Sequence, residues 1–298
     1  METVTGRFAP SPTSDLHLGN LRTALLAWLM ARHAGVDHLV RIEDLDATRV
    51  AAAPEVAARQ LADLAALGLD HDGAVVWQSE RVALYAEAAA SLPTYECYCT
   101  RREIAEAASA PHDDGYRPYP GTCRELSEAE RARRRAERPP ALRVASDHRA
   151  VTVHDRWAGV VTGVVDDVVI RRNDGAWAYN LAVVVDDLAQ GVTQVVRGDD
   201  LLSSSPRQAW LARALGGVEP TYAHVGLVVN AEGQRLAKRD GAVTLADLAA
   251  AGWDAGAVLA LLGASLGLCD AAERVSARDL LDRFDPDTVD HGSWTWRG

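Results

Sequence analysis

The stretch Arg7-Phe8-Ala9-Pro10-Ser11-Pro12-Thr13-Ser14-Asp15-Leu16-His17-Leu18-Gly19-Asn20-Leu21-Arg22 decides how this chain reads. One short segment joins a strand end, two prolines, a His-x-Gly turn and a helix start. That is the layout of a nucleotide site at the first strand-to-helix turn of a parallel sheet. Gly19 lets the backbone approach a phosphate or an adenine. His17 can donate a hydrogen bond to a phosphate oxygen. The helix that follows, expected over Leu21 to Ala34 and ended by Gly35, turns its positive N-terminal end toward the same anion.

Outward from this element the pattern alternates. Val4 to Phe8 reads as a strand, His38 to Ile42 as a second strand with an acidic exit, Pro54 to Leu67 as a helix closed by Gly68, Val75 to Trp77 as a third strand and Arg81 to Ser91 as a helix. This is the opening of a doubly wound parallel sheet. The alternation breaks at residues 94–140, which hold three cysteines, a Pro/Gly/Asp loop and an Arg/Glu-rich helix. Residues 141–172 are β-rich. From Ala178 the alternation resumes, with a strand ending in Arg197-Gly198-Asp199-Asp200, a helix over Ser204 to Leu215 and a strand over Leu227 to Val229. Residues 245–298 read as mainly helical. The expected segments are 1–93 and 173–244 as two halves of one nucleotide fold, 94–172 inserted between them, and 245–298 as a C-terminal region.

The bulk numbers set limits. The chain has 298 residues, 48% hydrophobic and 24% charged, enough for a sizeable core. No apolar run has membrane-spanning length and the start lacks a signal-peptide pattern, so a cytoplasmic protein is expected. A net charge of −11 argues against a broad, non-specific nucleic-acid binder. A local basic face is still available from Arg101, Arg102, Arg131, Arg133, Arg134 and Arg135. Four cysteines, three of them clustered, suit a metal site better than a disulfide scaffold.

Several residues carry chemistry. Arg7 and Arg197 both stand at strand ends, where open α/β sheets bind ligands, and suit a carboxylate substrate. Each Arg has the alternative of pairing with a nearby Asp such as Asp44 or Asp199. Glu43 can hold an ammonium, and Tyr179 offers a phenol. Gln234 to Gly241 is a Gly-bounded basic loop after a strand, and its Lys238 can neutralise a leaving pyrophosphate. Cys97, Cys99 and Cys123 suggest a structural zinc site. On chemistry alone the fourth ligand is His112.

The stretch 7–22 resembles the HIGH signature of class I aminoacyl-tRNA synthetases, in the Arg-Phe-Ala-Pro-Ser-Pro-Thr-Gly form of the glutamyl branch. His17-Leu18-Gly19-Asn20 stand in the four signature positions. Ser14 replaces the branch's Gly, and Asn20 the second His. Residues 234–241 resemble the KMSKS signature in its Lys-Leu-Ser-Lys variant, with Arg235 for the first Lys, Ala237 for the Ser and Lys238 kept. The resemblance implies a split Rossmann-type α/β fold with His17 and Lys238 catalytic. It implies ATP and Mg²⁺ at His17, Gly19, Asn20, Arg235, Leu236, Ala237 and Lys238. L-glutamate would lie among Arg7, Phe8, Ala9, Pro10, Ser11, Glu43, Tyr179 and Arg197. The Cys-x-Cys…Tyr-x-x-x-Cys arrangement is similar to the zinc pattern of a short glutamyl paralogue and implies Tyr119 as the fourth ligand.

About 60 residues follow Lys238, too few for an anticodon-binding domain. The chain therefore resembles the glutamyl-Q tRNA(Asp) synthetase family. Its members esterify glutamate to the queuosine base in the anticodon loop of tRNA(Asp). A monomer is expected. Two rivals are a minimal glutamyl-tRNA synthetase and a non-catalytic paralogue that binds glutamate or tRNA.

Overall fold

A computed structural model of the chain describes residues 5–46, 50, 52–100, 102–104, 118–234, 236 and 243–297. Val4, Arg101, His112, Arg235, Ala237 and Lys238 lie outside the described residues.

The first half runs β1 (Thr5–Phe8), α1 (Leu18–His33), β2 (Asp37–Ile42), α2 (Ala53–Ala66), β3 (Val76–Trp77) and α3 (Val82–Ala90). The chain then forms β4 (Thr94–Cys97), α4 (Glu128–Glu137), β5 (Ala141–Val144), the hairpin β6 (Ala150–Asp155) and β7 (Gly159–Val164), and β8 (Val168–Arg171). The second half is α5 (Tyr179–Ala189), β9 (Gln194–Gly198), α6 (Ser205–Ala214), β10 (Thr221–Val225) and β11 (Val228–Val229). After it come α7 (Leu245–Ala250), α8 (Ala255–Ala264), α9 (Ala277–Arg283) and β12 (Trp294–Thr295).

The central sheet has the order β3-β2-β1-β9-β10-β6-β7 and is parallel except for the β6–β7 hairpin. Strand order reverses between β1 and β9, which opens a crevice beyond their carboxyl ends. The hairpin from the middle of the chain extends the sheet at its far edge, while β4, β5 and β8 form a separate antiparallel sheet.

Side chains alternate along each strand with period two. The triplets Gly6-Arg7-Phe8, Val40-Arg41-Ile42, Val196-Arg197-Gly198 and Ala223-His224-Val225 therefore send their charged or polar member to one face. Phe8, Val40, Ile42, Val196, Ala223 and Val225 go to the other face and join the core around α1. That helix has eleven of its sixteen residues buried, so it is a core helix apolar on nearly every side rather than an amphipathic one. Each of its enclosed leucines contributes roughly 1.5–3 kcal/mol of burial.

Arg22 is the polar exception within α1. Its guanidinium donates to Ser265 Oγ (3.1 Å) and to the carbonyls of Gly226 (2.9 Å), Ser265 (3.2 Å) and Asp290 (3.1 Å). Burial lowers its pKa to about 10. This side chain ties the helix of the signature stretch to the C-terminal region.

Two expectations are corrected. The helix starts at Leu18 rather than Leu21, because His17 caps it and Gly19 and Asn20 lie in its first turn. The C-terminal region is not helical to its end. β12 pairs in parallel with β11, and a Cβ on Gly226 would run into the backbone of Gly292 and Ser293.

Candidate active site

The crevice at the β1–β9 switch opens into a cavity of about 480 Å³. Arg7, Phe8, Ala9, Pro10, Ser11, His17, Gly19, Asn20, Glu43, Tyr179 and Arg197 all line it. Leu236 is buried but stands outside the wall, and its N–H donates to the Val228 carbonyl at 3.2 Å. The cysteines form a separate cluster in another part of the fold.

His17 is the N-cap of α1. Its Nδ1 accepts from the backbone N–H of Gly19 (3.1 Å) and Asn20 (3.4 Å), while Asn20 Oδ1 accepts from His17 N–H (3.3 Å). A nitrogen that accepts carries no proton, so the neutral ring is protonated on Nε2 and can donate from there. Gly19 is required for a local reason as well. A Cβ there would stand 3.0 Å from the His17 ring. Leu18 N–H donates to the Val243 carbonyl (2.9 Å), and His17 bridges to Thr244. Leu236 on one side and Val243 on the other thus fasten the flanks of the segment carrying Lys238, the latter beside His17.

The charged face of the sheet supplies the opposite wall. Arg41 is fully buried. It donates to Asp187 Oδ1 (2.7 Å) and Gln190 Oε1 (3.0 Å) and lies against Glu43 (3.3 Å) and Asp186 (3.7 Å). Burial works against its charge, but Asp187, Glu43 and Asp186 outweigh burial and hold its pKa above the ordinary value. Asp186 is also held by Arg81 (2.6 Å), Gln78 (2.8 Å) and Tyr85 (2.8 Å).

Arg7 is less satisfied. It donates to the Val196 carbonyl at 3.2 Å and sits 3.6 Å from Asp187, and its Nε has no hydrogen-bond partner. Burial, together with Arg41 and Arg197, lowers its pKa against the pull of Asp187. Arg197 is 5% exposed and is held by neutral acceptors: His224 Nε2 (3.0 Å), Gln208 Oε1 (2.7 Å), Ser205 Oγ (2.9 Å) and the Leu201 carbonyl (3.3 Å). The alternative of an Asp partner holds for Arg7, through Asp187 and not Asp44, which accepts from Ser79 instead, whereas the acceptors around Arg197 are neutral. Burial raises the Glu43 pKa despite Arg41 and Arg7, so a cation beside it would be welcome. Gln60, which lines the same cavity, braces the proline turn by donating to the carbonyls of Ser11 (3.2 Å) and Ser14 (2.7 Å).

Away from the cavity, the Sγ atoms of Cys97, Cys99 and Cys123 lie within 4.8 Å of one another. Cys99 and Cys123 are 3.5 Å apart, close to the edge of about 3.8 Å that zinc–thiolate bonds of about 2.3 Å give in a tetrahedron. Tyr119 Oη is 3.9 Å from Cys99 Sγ and accepts from Cys123 N–H at 2.7 Å. Hydrogen bonds from the Cys123 and Cys99 thiols pull the Cys97 thiol well below the ordinary thiol range. The same contacts push the Cys99 thiol up and burial pushes the Tyr119 phenol up, while the Arg143 guanidinium, 3.7 Å over the Tyr119 ring, places a positive charge beside Cys97. The donor set fits a thiophilic metal.

A family model described as "tRNA synthetases class I (E and Q), catalytic domain" matches residues 3–279. The chain belongs to this class I synthetase family. Among its relatives within that family is the "Glutamyl-Q tRNA(Asp) synthetase" of Nocardia farcinica, 58% identical over 97% of this chain and 92% of that protein. Another of the same name, from Cutibacterium acnes, is 58% identical over 90% of this chain and 77% of its own length. The class I fold recurs in the crystal structure of a glutamate tRNA ligase from Elizabethkingia meningosepticum in complex with its amino acid. The TM-score is 0.81 at 28% identity, covering 99% of this chain and 67% of that one.

Several residues of this synthetase's site escape a reading of single motifs: Gln60, Asp155, Asp186, Asp187 and His224. For His224 a signal does exist. It is a polar residue between two apolar ones near a strand's carboxyl end, as at Arg7, Arg41 and Arg197.

Proposed function

We propose that this protein activates L-glutamate with ATP to glutamyl-adenylate and transfers the glutamyl group to the queuosine base of tRNA(Asp). The observation that carries the first half is charge matching. Glutamate has two carboxylates and one ammonium. The cavity offers Arg197, held by neutral acceptors, Arg7, whose Nε lies 3.6 Å from Asp187 without a hydrogen bond, and Glu43 with a raised pKa. Tyr179 adds a phenol at the same wall.

The glutamate α-carboxylate attacks the α-phosphorus of ATP in line, and pyrophosphate leaves. The Nε2 proton of His17 and the N-terminus of α1 would meet the phosphates, with Gly19 and Asn20 in that first turn, and Lys238 would neutralise the departing charge, Arg235, Leu236 and Ala237 being its neighbours in the basic signature. ATP would bring Mg²⁺, whose charge would screen its phosphates. A hydroxyl of the queuosine ring then attacks the mixed anhydride and AMP leaves. The relatives' name supports this acceptor.

Residues 1–93 and 173–244 form the nucleotide-binding halves in this reading, 94–172 the inserted unit and 245–298 a region that contacts the tRNA. Among the described residues no helix is long and apolar enough to cross a membrane. A cytoplasmic monomer is proposed.

The reading is tested by incubating enzyme, ATP and labelled glutamate with tRNA(Asp) carrying or lacking queuosine. Label on the queuosine form alone supports it. Label on the 3′ end of tRNA(Glu) identifies a minimal glutamyl-tRNA synthetase. No transfer and no glutamate-dependent pyrophosphate exchange identifies a binding paralogue.

Cys97, Cys99, Cys123 and Tyr119 hold one structural zinc in the same proposal. Zinc would cross-link β4 to the loop before α4 and would take no part in the chemistry. Elemental analysis is expected to find one zinc per chain, lost in Cys97→Ser and Cys123→Ser. Chelation is expected to lower the melting temperature by roughly 5–10 °C, from about 2.7 kcal/mol of linkage at a hundredfold saturation and about 2–4 °C per kcal/mol. Tyr119→Phe with unchanged zinc content would reject the phenolic ligand.

A further inference from the structure

We propose that Asp155 and His224 form a positioning pair that holds Arg197 at the cavity wall, and that glutamate affinity depends on this pair. The inference rests on the glutamate pocket proposed above and adds to it two residues that touch no substrate.

The sheet register builds the pair. Arg197 on β9 stands directly beside His224 on β10, and Tyr222 on β10 beside Asp155 on β6. The β10–β6 pairing ends there, and the Asp155 carboxylate takes over as acceptor for the backbone N–H of His224 (3.2 Å). It also accepts from the N–H groups of Trp157 (2.9 Å) and Ala158 (2.8 Å). These backbone bonds fix where the carboxylate sits. Burial works to raise its pKa, but the His224 ring and the two backbone donors outweigh burial and hold it at about 2.

His224 Nδ1 lies 2.6 Å from Asp155 Oδ2, and its Nε2 accepts the Arg197 Nε–H at 3.0 Å. Arginine has donors only. The imidazole is therefore protonated at Nδ1, donates to Asp155, and presents a bare Nε2 to Arg197. All three side chains are buried. A carboxylate in direct contact with Arg197 would compete with a substrate carboxylate for the same charge. The imidazole between them avoids that. It takes one N–H and aims the guanidinium, while the balancing negative charge stays one residue further back. With Gln208, Ser205 and the Leu201 carbonyl, four of the five N–H groups are occupied, which leaves one Nη1 hydrogen for a ligand.

The test compares wild type, His224→Asn and His224→Gln by calorimetric titration with L-glutamate and by glutamate-dependent pyrophosphate exchange. Asn reaches only the Nδ1 position, so it keeps the bond to Asp155 and loses Arg197. Gln carries its carbonyl to the Nε2 position and can accept from Arg197. Loss of that one buried bond should raise the glutamate Kd and KM about tenfold or more in His224→Asn. The ATP KM should stay at the wild-type value, the melting temperature should fall by only a few degrees from the stranded Arg197 Nε–H, and His224→Gln should recover most of the affinity. Unchanged glutamate affinity in His224→Asn overturns the proposal. So does an equal loss in both variants, or a loss that follows the melting temperature. Absence of glutamate binding by the wild type removes the pocket and this pair with it. Glutamate binding without transfer to tRNA rejects only the acceptor and leaves the comparison of variants readable.

Discussion

Arg197→Ala is expected to lower kcat/KM for glutamate by about three orders of magnitude in pyrophosphate exchange, because truncating one member of a buried charge pair costs roughly 2–5 kcal/mol and 1.4 kcal/mol is tenfold. The ATP KM should hardly move. The fold should survive at some cost in stability: Ser205 Oγ, 3.4 Å away, can donate to the abandoned His224 Nε2, and Gln208 stays anchored through the bond its Nε2 donates to Asn180 (3.1 Å), although its Oε1 loses the donor Arg197 supplied. Arg197→Lys keeps the charge but replaces a planar fork by a single ammonium, so it should fall between the two. Exchange within tenfold of wild type for Arg197→Ala would remove this residue from the glutamate pocket.

His17→Asn is expected to slow adenylate formation by roughly 10²–10³, the usual effect of removing one transition-state donor, with α1 intact. Asn is among the best N-cap residues, so its Oδ1 can accept from Gly19 and Asn20 as the imidazole Nδ1 does. What it lacks is the far side of the ring, where Nε2 carries the proton. His17→Ala loses the cap as well, at about 1 kcal/mol. The two variants therefore separate the helix cap from the phosphate contact. Equal melting temperatures for His17→Asn and wild type, with a deep loss of rate, is the expected pattern. A rate close to wild type in His17→Asn would confine this histidine to capping. Single-turnover formation of glutamyl-adenylate, followed by release of pyrophosphate, reads both.

Much of the arrangement was legible in the residues themselves. Period-two strands, Gly-closed helices and the charged strand ends at Arg7 and Arg197 point to a crevice at carboxyl ends, and the cavity lies there. The start of α1 lies three residues before the Leu21 that the pattern suggests, because His17 is an unusual cap whose ring folds back over Gly19. The pairing of β12 with β11 is not legible, since the alternation Ser293-Trp294-Thr295-Trp296 is too short to tell a strand from a loop. Asp155 and His224 were missed for a related reason. They lie far apart in sequence, and only strand register makes them neighbours. The antiparallel hairpin at the sheet edge, drawn from the middle of the chain, likewise follows from topology rather than from local pattern.

The parallel pair β11–β12 also imposes an order of assembly. Val228 and Val229 begin the segment that leads to Lys238, yet their strand partner is made only after three intervening helices. At synthesis rates of roughly 5–20 residues per second, that partner emerges on the order of several seconds later. Until then the root of the lysine segment lacks its edge strand, and α1 lacks the core partners that α8, α9 and Val289 supply.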